Sequence, residues 1–153
     1  MEDNVLHILL ADDDADDRLF FKDAMEEIKI MTNVSFVNDG LQLMNYLNQP
    51  DIKLPHVVFL DLNMPIKSGM ECLKEIRGND CLRDLTIVIY STSGSEKDIE
   101  DAFVYGANIY IKKPNDFSKL KATLVQVINR NWQYHTLGLK RENFLFSINE
   151  SNV

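Results

Sequence analysis

Three apolar runs of this chain end in charged groups suited to handling a phosphoryl group and a divalent cation. Leu6-His7-Ile8-Leu9-Leu10-Ala11 runs into Asp12-Asp13-Asp14, Val57-Val58-Phe59-Leu60 into Asp61, and Ile109-Tyr110-Ile111 into Lys112-Lys113-Pro114. Clustered carboxylates repel one another unless a cation sits among them. Asp61 stands alone at a strand end and is the candidate nucleophile, because a carboxylate can attack phosphorus and become an acyl phosphate. Asp12 and Asp13, together with Asp61, offer the hard oxygens that magnesium takes while keeping several waters. The backbone carbonyl of Asn63 can complete the protein's share. Ser91 ends another apolar run and can hydrogen-bond a phosphoryl oxygen. The Lys113 ammonium can offset charge on the group being transferred. Asp14, Asp16 and Asp17 read instead as the solvated acidic cap of the next helix.

These groups meet only if the chain brings strand ends together. Val- and Ile-rich runs alternate with helical patterns. Strands are expected at about 5–11, 34–37, 57–60, 86–90 and 109–112. Helices are expected at about 15–28, 41–47, 95–105 and 116–131, with a further one that places Met70, Leu73 and Ile76 on one face. The strands are continuously apolar, as burial on both faces of a parallel sheet requires. Inward positions are Phe20, Ala24 and Ile28 on the first helix, and Phe117, Leu120, Leu124, Val127 and Ile128 on the last. In an open parallel sheet the carboxyl ends of the strands share one edge, and ligands bind there. One domain is expected over 4–131, followed by a tail over 132–153 without a separate domain.

Composition narrows the function classes. With 153 residues, 45% hydrophobic, the chain can bury a core of ordinary size. A net charge of −8 argues against nucleic acid and against anionic membranes. No apolar run approaches the ~18 residues that a membrane span needs. The start, Met1-Glu2-Asp3-Asn4, lacks a basic leader, so a cytoplasmic location is expected. Cys72 and Cys81 form no CxxC pair and read as reduced thiols. His7, His56 and His135 read as structural or exposed.

The order Asp12-Asp13, Asp61, Ser91, Lys113-Pro114 closely resembles the receiver domain of two-component response regulators, the CheY-like family. The local texts Ile8-Leu9-Leu10-Ala11-Asp12-Asp13-Asp14, Leu60-Asp61-Leu62-Asn63-Met64-Pro65 and Gly106-Ala107-Asn108-Ile109-Tyr110-Ile111-Lys112-Lys113-Pro114 carry the likeness. The resemblance implies a flavodoxin-like (βα)5 doubly wound sheet of order 2-1-3-4-5. It implies a bacterial signalling switch rather than an enzyme, one with intrinsic phosphotransfer and autodephosphorylation. Asp61 would accept a phosphoryl group from a histidine kinase or histidine phosphotransfer protein. Asp13 would hold Mg2+ directly, Asp12 through water, and Asn63 through its carbonyl. Ser91 and Tyr110 would be the switch residues, with Tyr110 filling space vacated on phosphorylation. Lys113 would pair with the phosphoryl group, and the Lys113–Pro114 bond would be cis. The face of the fourth helix, fifth strand and last helix would bind a downstream protein or a second copy.

Two features depart from the commoner pattern. Ser91 stands where threonine is usual. The tail is longer than a minimal receiver needs yet leaves no room for an output domain, as in stand-alone receivers associated with bacteriophytochrome-type and hybrid kinases. One alternative is a haloacid-dehalogenase-like Mg-dependent phosphatase using Asp12-Asp13-Asp14. It lacks that family's late acid pair and leaves Asp61 idle. A calcium loop over Asp12, Asp14, Asp16 and Asp23 has Asp17 where glycine is needed.

Overall fold

Strands that are apolar on both faces need two covering layers, and the helical stripes supply them. The computed structural model describes residues 5–134 and 145–146, with side chains over 5–129. Strands β1 (Leu6–Ala11), β2 (Thr32–Val37), β3 (Val57–Leu60), β4 (Thr86–Ser91) and β5 (Ile109–Lys112) alternate with helices α1 (Ala15–Glu27), α2 (Gly40–Leu47), α3 (Gly69–Arg77), α4 (Glu96–Val104) and α5 (Phe117–Tyr134). All pairings are parallel, and the order β2-β1-β3-β4-β5 is the expected one. Successive strand residues face opposite layers. Leu9, Val58, Leu60, Ile87 and Ile89 face the layer of α2, α3 and α4, with Leu43, Leu73 and Ala102. Ile8, Leu10, Phe59, Val88 and Tyr90 face α1 and α5, with Phe21 and Leu124. Among the described residues no helix is long and apolar enough to cross a membrane.

Three details differ from the sequence reading. On α1 the fully buried aromatic is Phe21, set edge-on against Phe59 and Tyr90. Phe20 is only half-buried and meets Phe117. Two adjacent phenylalanines fit a helical stripe equally well, and the sheet's aromatic pair selects the second. The last helix runs on to Tyr134. Beyond it a sixth strand, β6 (Leu145–Phe146), pairs parallel with β5, Leu145 opposite Tyr110 and Phe146 opposite Ile111. Part of the expected tail thus continues the sheet. The side chains of Trp132 and Phe144 lie outside the described residues.

The register of the site-bearing strands is fixed from below by Arg77. Its Nε donates to Gly106 O (2.9 Å), and one terminal nitrogen donates to Arg83 O (2.8 Å) and Leu85 O (2.7 Å). The other donates to Asn108 Oδ1 (2.8 Å), which also accepts the Ile87 N–H (2.8 Å). One side chain therefore ties the end of α3 to the approaches of β4 and β5. Replacing Arg77 with leucine strands these acceptors and is expected to cost about 2–4 kcal/mol, read as a fall in the urea midpoint.

Candidate functional site

The sheet pairing brings the charged strand ends together. The Asp61 N–H donates to Ala11 O (3.0 Å) and the Asp12 N–H to Val37 O (3.1 Å). The Lys113 N–H donates to Ser91 O (2.8 Å), which extends the β4–β5 ladder by one residue past β5. Asp12, Asp61 and Ser91 are buried, while Asp13 and Asn63 are exposed at the rim. One carboxylate oxygen from each of Asp12, Asp13 and Asp61 lies within 4.8 Å of the other two. Asp12, Asp13, Asp61, Asn63, Ser91 and Lys113 are accordingly at or beside the carboxyl edge of the sheet, while Tyr110 lies within β5 opposite Ile89.

The loop from β3 to α3 is held tightly. Ser68 and Glu71 form a reciprocal capping box at the start of α3. Gly69 lies so close to Asp61 that an added Cβ would sit 2.1 Å from the Asp61 carbonyl oxygen. Gly69→Ala is therefore expected to push α3 or Asp61 out of place, costing about 3 kcal/mol in a urea titration. Asn63 donates its N–H to Asp61 Oδ1 (3.2 Å) and fixes that carboxylate's rotation.

Charge in the pocket is unbalanced. Lys113 Nζ lies 2.8 Å from Asp12 Oδ2, 2.8 Å from Asp17 Oδ2 and 3.4 Å from Asp61 Oδ2. Burial opposes the lysine's charge, but the contacts with Asp12 and Asp17, and Asp61 beyond them, hold it above the ordinary lysine range. Burial drives the Asp61 carboxyl up to about 6, against the pull of Lys113 and with the push of Asp12. Burial raises Asp12 as well. The residues that follow tie it down: Asp12 Oδ1 accepts the Asp14 N–H (3.0 Å), and Arg18 donates to Asp12 O (2.8 Å). Asp12 Oδ2 is fully buried, and the ammonium beside it is not aligned for a hydrogen bond. A buried carboxylate oxygen with lone pairs to spare, among carboxylates outnumbering one ammonium, fits a magnesium ion.

One expectation needs correction. The Lys113–Pro114 bond is trans; the chain turns there through the loop leading to α5. The Tyr110 ring is fully buried, and its hydroxyl donates to Ser93 O (2.7 Å). That carbonyl satisfies the phenol and removes the cost of burying it. Ser91 Oγ accepts the Ser93 N–H (3.2 Å). The sequence reading also missed Asp17 as a partner of Lys113. The available signal was its place in the first turn of α1, where side chains reach back toward the helix start.

A flavodoxin-like α/β domain with an acidic pocket and one lysine at its strand ends is the class defined by fold and site. The chain belongs to the response regulator receiver domain family, whose sequence model matches residues 8–125. It is similar to a probable methanogenesis regulatory protein, FilR2, of Methanothrix harundinacea, at 31% identity over 86% of this chain and 85% of that protein. It is also similar to the response regulator Rcp1 of Synechocystis, at 30% identity over 82% and 87%. Among solved structures, the phosphorylated cyanobacterial phytochrome response regulator RcpA superposes with a TM-score of 0.75 at 32% identity, covering 88% of this chain and 97% of that one. The Mn(2+)-bound form of Rcp1 gives 0.73 at 29%, covering 88% and 99%. The chain is thus a receiver of two-component signalling, in the company of stand-alone response regulators.

Proposed function

We propose that this receiver accepts a phosphoryl group on Asp61 and acts as a Mg2+-dependent switch. The observation that carries this reading is the setting of Asp61. Its carboxylate is buried, shares an oxygen cluster with Asp12 and Asp13, and faces Lys113 at 3.4 Å. A carboxylate oxygen of Asp61 attacks phosphorus of a phosphohistidine on a kinase or phosphotransfer protein. The P–O bond forms as the P–N bond breaks, and the imidazole leaves with the bonding pair and takes a proton. Magnesium, when bound through Asp12, Asp13, Asp61 and the Asn63 carbonyl, neutralises phosphoryl charge. Lys113 supplies a second cation, and the Ser91 hydroxyl a hydrogen bond, to the transferred group. The same groups assist water in the slow loss of phosphate, so the chain resets without a separate turnover function.

The change on phosphorylation falls on Ser91, Tyr110 and the loop over 92–95. That loop is held by Ser93 bonding to both Tyr110 and Asp98. Movement there alters the face of α4, β5 and α5, which binds a downstream protein or a second copy. β6 lies on the outer edge of β5, so a partner on that face meets β6 as well. The receiver domain spans about 4–131, with β6 from the chain beyond α5 added to its sheet, and the protein works in the cytoplasm.

The test is incubation with acetyl phosphate and magnesium, followed by borohydride reduction of the acyl phosphate. One phosphoryl group per chain is expected, recovered as homoserine at position 61 and lost on chelation of the metal. Label on another residue, or labelling indifferent to chelator, overturns the reading. Turnover of phosphate esters without label on Asp61 favours the phosphatase alternative.

A further inference from the structure

We infer that Asp17 is a positioning residue that draws the Lys113 ammonium away from Asp61 and thereby slows phosphoryl capture. The inference rests on the reading of Asp61 as the phosphoacceptor. Lys113 Nζ donates a well-formed hydrogen bond to Asp17 Oδ2 at 2.8 Å and only a long one to Asp61 Oδ2 at 3.4 Å. Its 2.8 Å contact with Asp12 Oδ2 is close but poorly aligned. Asp12 and Asp17 thus both hold the ammonium closer than Asp61 does, and Asp17 is the one of the two that takes an aligned hydrogen bond from it.

An aspartate in the first turn of a helix ordinarily serves the unpaired N–H groups there. Asp17 is not needed for that. Asp14 already accepts the N–H of Asp16 (2.8 Å) and of Asp17 (3.1 Å) through Oδ1. The Asp17 carboxylate is therefore turned to the lysine instead, and its side chain stays 36% exposed against 7% for Lys113. It acts as a berth on the rim of the pocket. A phosphoryl group arriving at Asp61 must attract the ammonium out of that berth, and part of the stabilisation offered by Lys113 is spent in leaving it.

The test compares Asp17→Asn with the wild type, with Asp17→Glu as conservative rescue and Asp16→Asn as control. Asp16 carries the same charge in the same turn and makes no contact with Lys113 among the described interactions. The readout is the rate constant for labelling by acetyl phosphate at fixed magnesium and ionic strength. Asp17→Asn is expected to label roughly two- to fivefold faster, the range set by a half-exposed ion pair. Asp17→Glu is expected to return toward the wild-type rate, and Asp16→Asn to match it. Unchanged or slower labelling of Asp17→Asn overturns the inference. So does equal acceleration by Asp16→Asn, which would reduce the effect to general attraction of an anionic donor. Failure of the wild type to label at Asp61 overturns instead the phosphoacceptor reading beneath it.

Discussion

Asp61→Asn is expected to reduce phosphoryl capture to background while leaving the fold intact. The amide keeps the volume of the carboxylate and can still accept the Asn63 N–H at Oδ1. It has no anionic oxygen to attack phosphorus, and an amide is too poor a nucleophile to substitute. Neighbouring acids do not replace it. Asp12 lies deeper, at zero exposure, with Oδ1 bound to the Asp14 N–H, and Asp13 stands at the rim. Only Asp61 combines access, at 5% exposure, with a lysine beside the oxygen that would carry the phosphoryl group. The measurement is intact mass after acetyl phosphate treatment with magnesium. A one-phosphoryl gain is expected for the wild type and none for the variant. Wild-type-like labelling of the folded variant would remove Asp61 from the role assigned to it.

Much of this site was legible in the sequence because its residues sit at strand ends. Asp12, Asp61, Ser91 and Lys113 each follow a run of apolar residues that can only be a buried strand, and parallel strands must end on a common edge. The periodicity of α5, through Leu120, Leu124, Val127 and Ile128, fixed which face met the sheet. The misses share a different character, in that local pattern left the outcome to distant groups. Two residues, Leu145 and Phe146, carry no strand signal until the free edge of β5 offers them pairing. Phe20 and Phe21 are interchangeable on a helical wheel, and Phe59 and Tyr90 from other strands choose between them. Arg77 drew no reading from the sequence, because the carbonyls it serves lie up to 29 residues away. Asp17 reads as a cap residue because its first-turn position fits that role equally well, and the lysine it meets lies 96 positions on. The partner of the Tyr110 hydroxyl is a backbone carbonyl, that of Ser93, which no residue type reveals.

The pocket that permits this chemistry should weaken the metal-free protein, and the effect should depend on pH in a defined direction. Burial holds the Asp61 carboxyl at about 6 in the fold, against an ordinary value of 3.8. The folded chain therefore binds this proton more tightly than the unfolded chain. Below the ordinary value both states are protonated and the carboxyl costs nothing. As pH rises toward 6, the unfolded chain ionises freely while the fold resists. Above 6 the full penalty is present, on the order of 3 kcal/mol. Asn at position 61 carries no charge at any pH. In urea titrations with chelator, Asp61→Asn and the wild type should thus be nearly equal near pH 4, with the variant more stable by about 2–3 kcal/mol at pH 7.5. Magnesium should narrow that gap at pH 7.5. It binds the folded wild type through the complete acid set, and binding at a hundredfold excess over the dissociation constant adds about 2.7 kcal/mol. A gap that stays constant with pH would show that burial of Asp61 is not the cause. A gap untouched by magnesium at pH 7.5 would show that Asp61 takes no part in holding the ion.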